Sequence, residues 1–253
     1  MVEIFDFISL IMADILKALH FIVPNYGWSI VLLTLLIKLV LFPTAISQTR
    51  SLEVSKVLQP KLKELHEKYR DHPEELNRRM LELYREYKVN PLSGCLTLLI
   101  QIPILFALFA LLRSPEKFGL VAKPGGPPFN GETFLGLSLM AKGNPKNIIG
   151  SLGNLILAVL AAMTTYLQQK MTTPSAASTD STTDSMVSMQ AAFLYFMPIF
   201  FGFITFTMEA AIGIYWVAQS VIGILQQIVI TRFFVRPIKP EPEAAAKPKR
   251  RKQ

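Results

Sequence analysis

Apolar positions are gathered into blocks. Residues 28–46, 94–112, 147–169, 190–208 and 210–231 contain no Asp, Glu or Arg and one Lys, at position 38. At a helical rise of about 1.5 Å per residue, each block matches a hydrocarbon layer roughly 30 Å thick. Lipid offers no hydrogen bonds to the backbone, so such blocks are predicted to be helices rather than open strands. Core helices of a soluble protein are the alternative, and five such runs in 253 residues fit it poorly. The expected fold is an all-α membrane protein with five transmembrane helices, at 28–48, 93–113, 147–169, 190–207 and 210–233, around a hydrophilic groove.

The polar stretches have their own periods. In 51–90, Leu58, Leu62, Leu65 and Tyr69 are spaced 4, 3, 4, and Leu76, Met80, Leu83 and Tyr87 repeat the spacing. Pro73 between them suits a first helical position, with Asp71 or His72 as cap. The pattern predicts an antiparallel helical hairpin, attached to the bilayer at both ends and therefore projecting from it. In 1–22, Glu3, Asp6, Ser9, Asp14, Lys17 and His20 fall near helical spacing, and Ile4, Phe7, Ile8, Ile11, Ile15 and Leu19 fill the other face. This predicts an interfacial amphipathic helix on the outer surface, with a sixth, poor span as the alternative. Segment 114–146 holds KPGGPPFNG and reads as an irregular outer cap. Loop 170–189 is Ser/Thr-rich, and 234–253 is a basic Pro/Ala/Lys tail; both read as lacking packed structure.

Charge sets the orientation. Counting Lys and Arg, segments 49–91, 170–189 and 232–253 carry nineteen, against six on the opposite side. The positive-inside rule then places the N-terminus outside and the C-terminus in the cytoplasm. Segment 49–91, which holds the hairpin, has ten basic and eight acidic residues, too balanced for a nucleic-acid reader. The basic tail is suited to anionic lipid and to ribosomal RNA, or serves only to enforce topology. The N-terminus carries Glu3 and Asp6, and has neither a basic leader nor a small-residue cleavage site.

Lys38 does not belong in an apolar block. It lies ten residues after Trp28, about 15 Å along a helix and so at the bilayer midplane, where a lysine costs about 2.5–3.5 kcal/mol. No span contains a carboxylate to neutralise it; the nearest candidate is Glu209, in the turn between the last two blocks. The expected solution is a wet groove. Its assigned liners are Lys38, Thr34, Gln101, Thr165, Gln168, Tyr215 and Gln219, with Thr164, Tyr166, Ser220, Gln226 and Gln227 as further polar positions in the spans. The functional reading is an electrostatic receptor for something acidic; a snorkelling lysine with a structural role is the bland one. No nucleotide-binding loop is present, all three histidines lie outside the spans, and one cysteine cannot form a metal cluster. No catalytic residue, metal or cofactor is therefore assigned, and an enzyme is not expected.

Three stretches carry a resemblance: NYGWSIVLLTLLIKLVLFP, YREYKVNPLSGCLTLLIQIPILFALFALLR, and FLYFMPIFFGFITFTMEAAIGIYWVAQSVIGILQQ. The mid-span basic residue, Asn90-Pro91 at the hairpin exit, Gln101-x-Pro103 and Tyr215-Trp216 follow in the order seen in the YidC/Oxa/Alb membrane protein insertases. The chain resembles that family over about residues 20–235, in the five-span form of Gram-positive bacteria without the large outer domain. The resemblance implies an insertase and chaperone. Its groove is open to cytoplasm and lipid, and its central basic residue corresponds to Lys38. It implies nascent membrane proteins as substrates, first contact at the hairpin, ribosomes at the basic tail, and action alone or beside the Sec translocon. Three departures stand out: lysine replaces the usual arginine, no lipoprotein signal is seen, and the turn reads Met208-Glu209-Ala210-Ala211. A small-solute channel or anion-attracting transporter using Lys38 is the competing function, and a purely structural subunit a third.

Overall fold

The computed structural model describes residues 2–87, 93–120, 129, 132–172 and 185–235, with side chains from 6 onward except in 93–100 and 185–191. The basic tail beyond Val235, the stretch between Thr172 and Ser185 and the Asn90-Pro91 pair lie outside the described residues. Among the described residues eight α-helices dominate: α1 Val2–Ile22, α2 Tyr26–Val40, α3 Phe42–Lys68, α4 Pro73–Glu86, α5 Ser93–Arg113, α6 Leu152–Thr172, α7 Ser185–Thr207 and α8 Ala210–Phe233. The protein is thus an all-α membrane protein in its main architecture. By length and composition, Ile149–Thr172 and Ala210–Phe233 can each cross a membrane. So can α2 and α3 taken as one span bent by 65°, while Gln101–Arg113 and Ala192–Thr207 are shorter apolar helices.

The first apolar block, expected as one straight helix over 28–48, is broken at Leu41. The cause lies two residues on. Pro43 has no N–H to offer Leu39, and its ring disfavours helical geometry at the residue before it. It is tolerated in the first turn of α3, where no intrahelical donor is needed. α3 then runs without interruption into the first arm of the hairpin, so span and hairpin share one helix. Its buried residues are Thr49, Val54 and Leu58, the last two one turn apart on a shared face, and it packs on α5 and α8. α4 opens with Pro73 after His72 and buries no residue. The two arms meet through the Lys61 ammonium, which donates to the Tyr87 hydroxyl.

The hydrophobic core lies between α1, α2, α5 and α8, built from Leu16, Ile30, Leu33, Leu108, Leu111 and Ile214, with Phe129 and Leu139 of the cap segment 114–146. α1 is helical, but its faces differ from the expected ones. Ser9, Met12, Ala13 and Leu16 turn into the protein, while Phe7 and Ile11 are exposed. The small residues permit close approach to α5, and the Ser9 hydroxyl donates to the Ala107 carbonyl at 3.0 Å. Outward faces carry Leu35, Leu36, Leu39, Ile102, Phe106, Ile156 and Phe203, all exposed apolar side chains. On a soluble domain that coat would be a liability; in hydrocarbon it is the stable surface.

The cap, expected to be irregular, is ordered over its second half. Thr133–Phe134 and Leu137–Ser138 pair antiparallel, joined by Leu135 and Gly136, both at positive φ. Two positive-φ residues suit a two-residue hairpin loop. The cap is then stitched to the helices. Ala210 N–H donates to Ala141 O, Ala211 N–H to Leu139 O and Gly143 N–H to Phe206 O, at 2.8–2.9 Å. The Asn154 side chain donates to Ala141 O, and the buried Glu132 carboxylate accepts from Tyr26 N–H at 2.6 Å. Glu209, the expected nearest partner for Lys38, belongs to this end. It pairs with Lys142 at 2.9 Å, its side chain only 3% exposed.

Candidate functional site

The break at Leu41 makes the site. It leaves the last carbonyls of α2 without helical donors, inside an apolar block where water is scarce. Leu41 N–H returns to Ile37 O, and the Lys38 carbonyl accepts from the Gln226 side-chain amide of α8 at 3.3 Å. Lys38 therefore stands in the last turn of α2. The exposed carbonyls there are the negative end of the helix dipole and favour a cation. The straight-span position at the middle of one helix is replaced by the end of a shorter one.

Around Lys38 opens a cleft lined by Leu41, Thr44, Ala45, Gln48, Gln101 and Gln226. Four of these six carry uncharged polar groups, and none is acidic. The cavity volume is about 50 Å³, room for a few water molecules at roughly 10–15 Å³ each. The floor comes from the first turns of α3, one wall from α5 and one from α8. Such a site offers an anion one full positive charge and several neutral hydrogen-bonding groups. Its lining lacks a carboxylate that could hold a cation.

The residues assigned from sequence divide by layer. Lys38 and Gln101 line the cleft. Tyr215 is buried behind Gln101, whose amide donates to the Tyr215 hydroxyl at 2.9 Å. Gln168 approaches from α6: a methyl group added at Gly223 would overlap its amide nitrogen and lie 3.7 Å from the Lys38 Nζ. Thr165 does not line the cleft; it accepts from Trp216 Nε1 at 3.1 Å and lies 3.5 Å from the Ser220 hydroxyl. Thr34 is buried and donates to Ile30 O of its own helix, so its hydroxyl is already used. Gln219 is partly buried and does not line the cleft. Thr44 and Gln48 were not expected. They follow Lys38 closely in sequence, and a straight helix carries them beyond the midplane; the bend brings them beneath it.

A bent apolar helix, a lipid-facing coat and a charge held in a polar cleft define a helical integral membrane protein with an internal hydrophilic site. The family model described as 60Kd inner membrane protein matches residues 18–237, and the chain belongs to that family. It is 33% identical over 225 residues to the membrane protein insertase YidC of Caldanaerobacter subterraneus subsp. tengcongensis, covering 89% of this chain and 94% of that relative. It is 35% identical over 230 residues to the protein of the same name from Francisella philomiragia subsp. philomiragia, covering 90% of this chain. It is 33% identical over 232 residues to that of Campylobacter jejuni subsp. jejuni, covering 92% of this chain. The chain spans 36% and 39% of the lengths of these last two relatives.

Proposed function

We propose that the protein is a membrane protein insertase and chaperone. It receives the polar, acidic part of a short incoming segment in the cleft at Lys38 and releases the segment's apolar helix into lipid. The carrying observation is the placement of one ammonium among neutral polar side chains at the end of a broken apolar helix. In this reading all five apolar blocks span the bilayer, and the cleft is the inner part of a groove open to cytoplasm and lipid. An acidic group about 4 Å from Lys38 gains roughly 4 kcal/mol at an effective dielectric near 20. That offsets much of the several kcal/mol of desolvation that a carboxylate meets in hydrocarbon. The apolar helix supplies the net drive by entering lipid, so no ATP is required. Substrates are small nascent membrane proteins; ribosomes at the basic tail and the Sec translocon are further partners in this reading.

The competing function is a channel or anion-attracting transporter. The stitched outer end argues against it, because a pore needs that end open. Insertion of a short, Sec-independent membrane protein with an acidic outer tail, in proteoliposomes carrying Lys38 variants, tests the proposal. Lys38→Arg retains insertion, while Lys38→Ala and Lys38→Glu lose at least about tenfold, the equivalent of roughly 1.4 kcal/mol. Equal insertion by Lys38→Ala and wild type removes the electrostatic receptor.

A further inference from the structure

Two adjacent glutamines on α8 hold the two sides of the bend. Gln226 donates to the Lys38 carbonyl, at the end of α2. The Thr49 hydroxyl of α3 donates to the Gln227 side-chain carbonyl at 2.9 Å, and Thr49 is 1% exposed. One helix thus grips α2 at Lys38, before the break, and α3 at Thr49, after it. Pro43 explains why the helix breaks, but a missing N–H does not set the angle between the halves. The angle needs contacts that span both sides, and the Gln226–Gln227 pair supplies them. It also fixes the site: the carbonyl held by Gln226 belongs to the residue whose ammonium enters the cleft, and Thr44 and Gln48 are on the helix held by Gln227.

We infer that Gln226 and Gln227 are positioning residues, which set the bend between α2 and α3 and thereby hold Lys38 over the polar floor of the cleft. The inference rests on the insertase reading for its functional half and on the hydrogen bonds alone for its structural half. Gln226 and Gln227 lie in the last apolar block and Thr49 is 1% exposed, so water competes weakly, and losing either bond is felt as a change of geometry rather than replaced by hydration.

The test uses the full chain with Cys95→Ser and spin labels at Leu35→Cys on α2 and Arg50→Cys on α3, both exposed. Pulsed electron–electron distances across the bend are measured in proteoliposomes, alongside insertion of the acidic-tailed substrate by the unlabelled variants. Thr49→Val is close in shape and removes the hydroxyl, Gln226→Leu removes the amide, and Thr49→Ser keeps a hydroxyl. The Thr49→Val, Gln226→Leu double variant broadens or shifts the distance distribution and lowers insertion about thirtyfold, as expected for loss of two hydrogen bonds near 1 kcal/mol each. Thr49→Ser retains both the narrow distance and the activity. An unchanged distance in the double variant overturns the brace. A changed distance with undiminished insertion overturns its role in positioning Lys38. A Lys38→Ala protein that inserts normally while the distance still responds to the double variant sinks the insertase reading at Lys38 and, with it, the functional half.

Discussion

Glu209 is a carboxylate buried with one charged partner. Glu209 is 2% exposed, its Oε1 pairs with Lys142, and its Oε2 has no hydrogen-bond partner. Lys142 itself is more than half exposed, so removing it leaves the charge buried and alone. Lys142→Ala is expected to destabilise by about 1–3 kcal/mol, the penalty of an unsatisfied buried acceptor. Adding Glu209→Gln should recover most of that loss, read as the unfolding midpoint in detergent; no recovery means that the lysine acts by packing. At this scale the sequence was partly legible. Lys38 stands out because an apolar block has no reason to carry a charge, and Gln101 because it lies deep in another. Glu209, the carboxylate nearest to Lys38 by sequence, pairs with Lys142 instead, because sequence order says nothing of which loop folds over a turn. Thr34 looked like a free hydroxyl, but a threonine in an apolar helix can satisfy itself on the carbonyl four residues back.

Among elements, the helices were legible and their breaks were not. Apolar length predicts a span and the 4, 3, 4 leucine spacing predicts the hairpin arms, yet neither says that α3 serves both. Pro43 was the available signal. The hairpin's outer arm depends on its own charges. Arg78 hydrogen-bonds Glu75 at 2.7 Å, and with the charges of Arg78 and Arg79 it holds the Glu75 carboxyl below the usual carboxylate range. A depressed carboxyl contributes stability above its unfolded pKa of about 4 and loses it as pH falls through the lower folded value. Amide exchange in 73–86 should therefore quicken, after correction for intrinsic rates, as pH drops from about 5 towards 3. Glu75→Gln should flatten that dependence, and high salt should weaken it. An identical pH profile in Glu75→Gln assigns the effect to another group.

For the whole molecule, the bound cap and the Lys38 cleft lie towards opposite ends of α2. The cap is bound to the α7–α8 turn by three backbone hydrogen bonds, and the cleft lies at the end where α3 leaves the bundle. In a Cys95→Ser background, Gln48→Cys should react with an impermeant thiol reagent from the cytoplasmic side only. Leu135→Cys, 87% exposed on the cap hairpin, should react from the opposite side only. Labelling of both from the same side contradicts the orientation read from the lysine and arginine distribution. That distribution reports which loops face which compartment. It carries nothing about the stitching, which runs mainly through backbone groups that any residue except proline possesses.

The continuity of α3 has a mechanical consequence. Twenty-seven residues from Phe42 to Lys68, with Pro60 inside the helix, make an arm about 40 Å long, pivoted at Leu41. A tilt of roughly 5° at that pivot displaces the far end by about 3.5 Å, while Thr44 and Gln48, close to the fulcrum, move by only a fraction of an ångström. The helix is a lever with a long outer arm. A weak force at the hairpin tip is delivered near the fulcrum as a strong one over a short distance, at the floor of the cleft under Lys38.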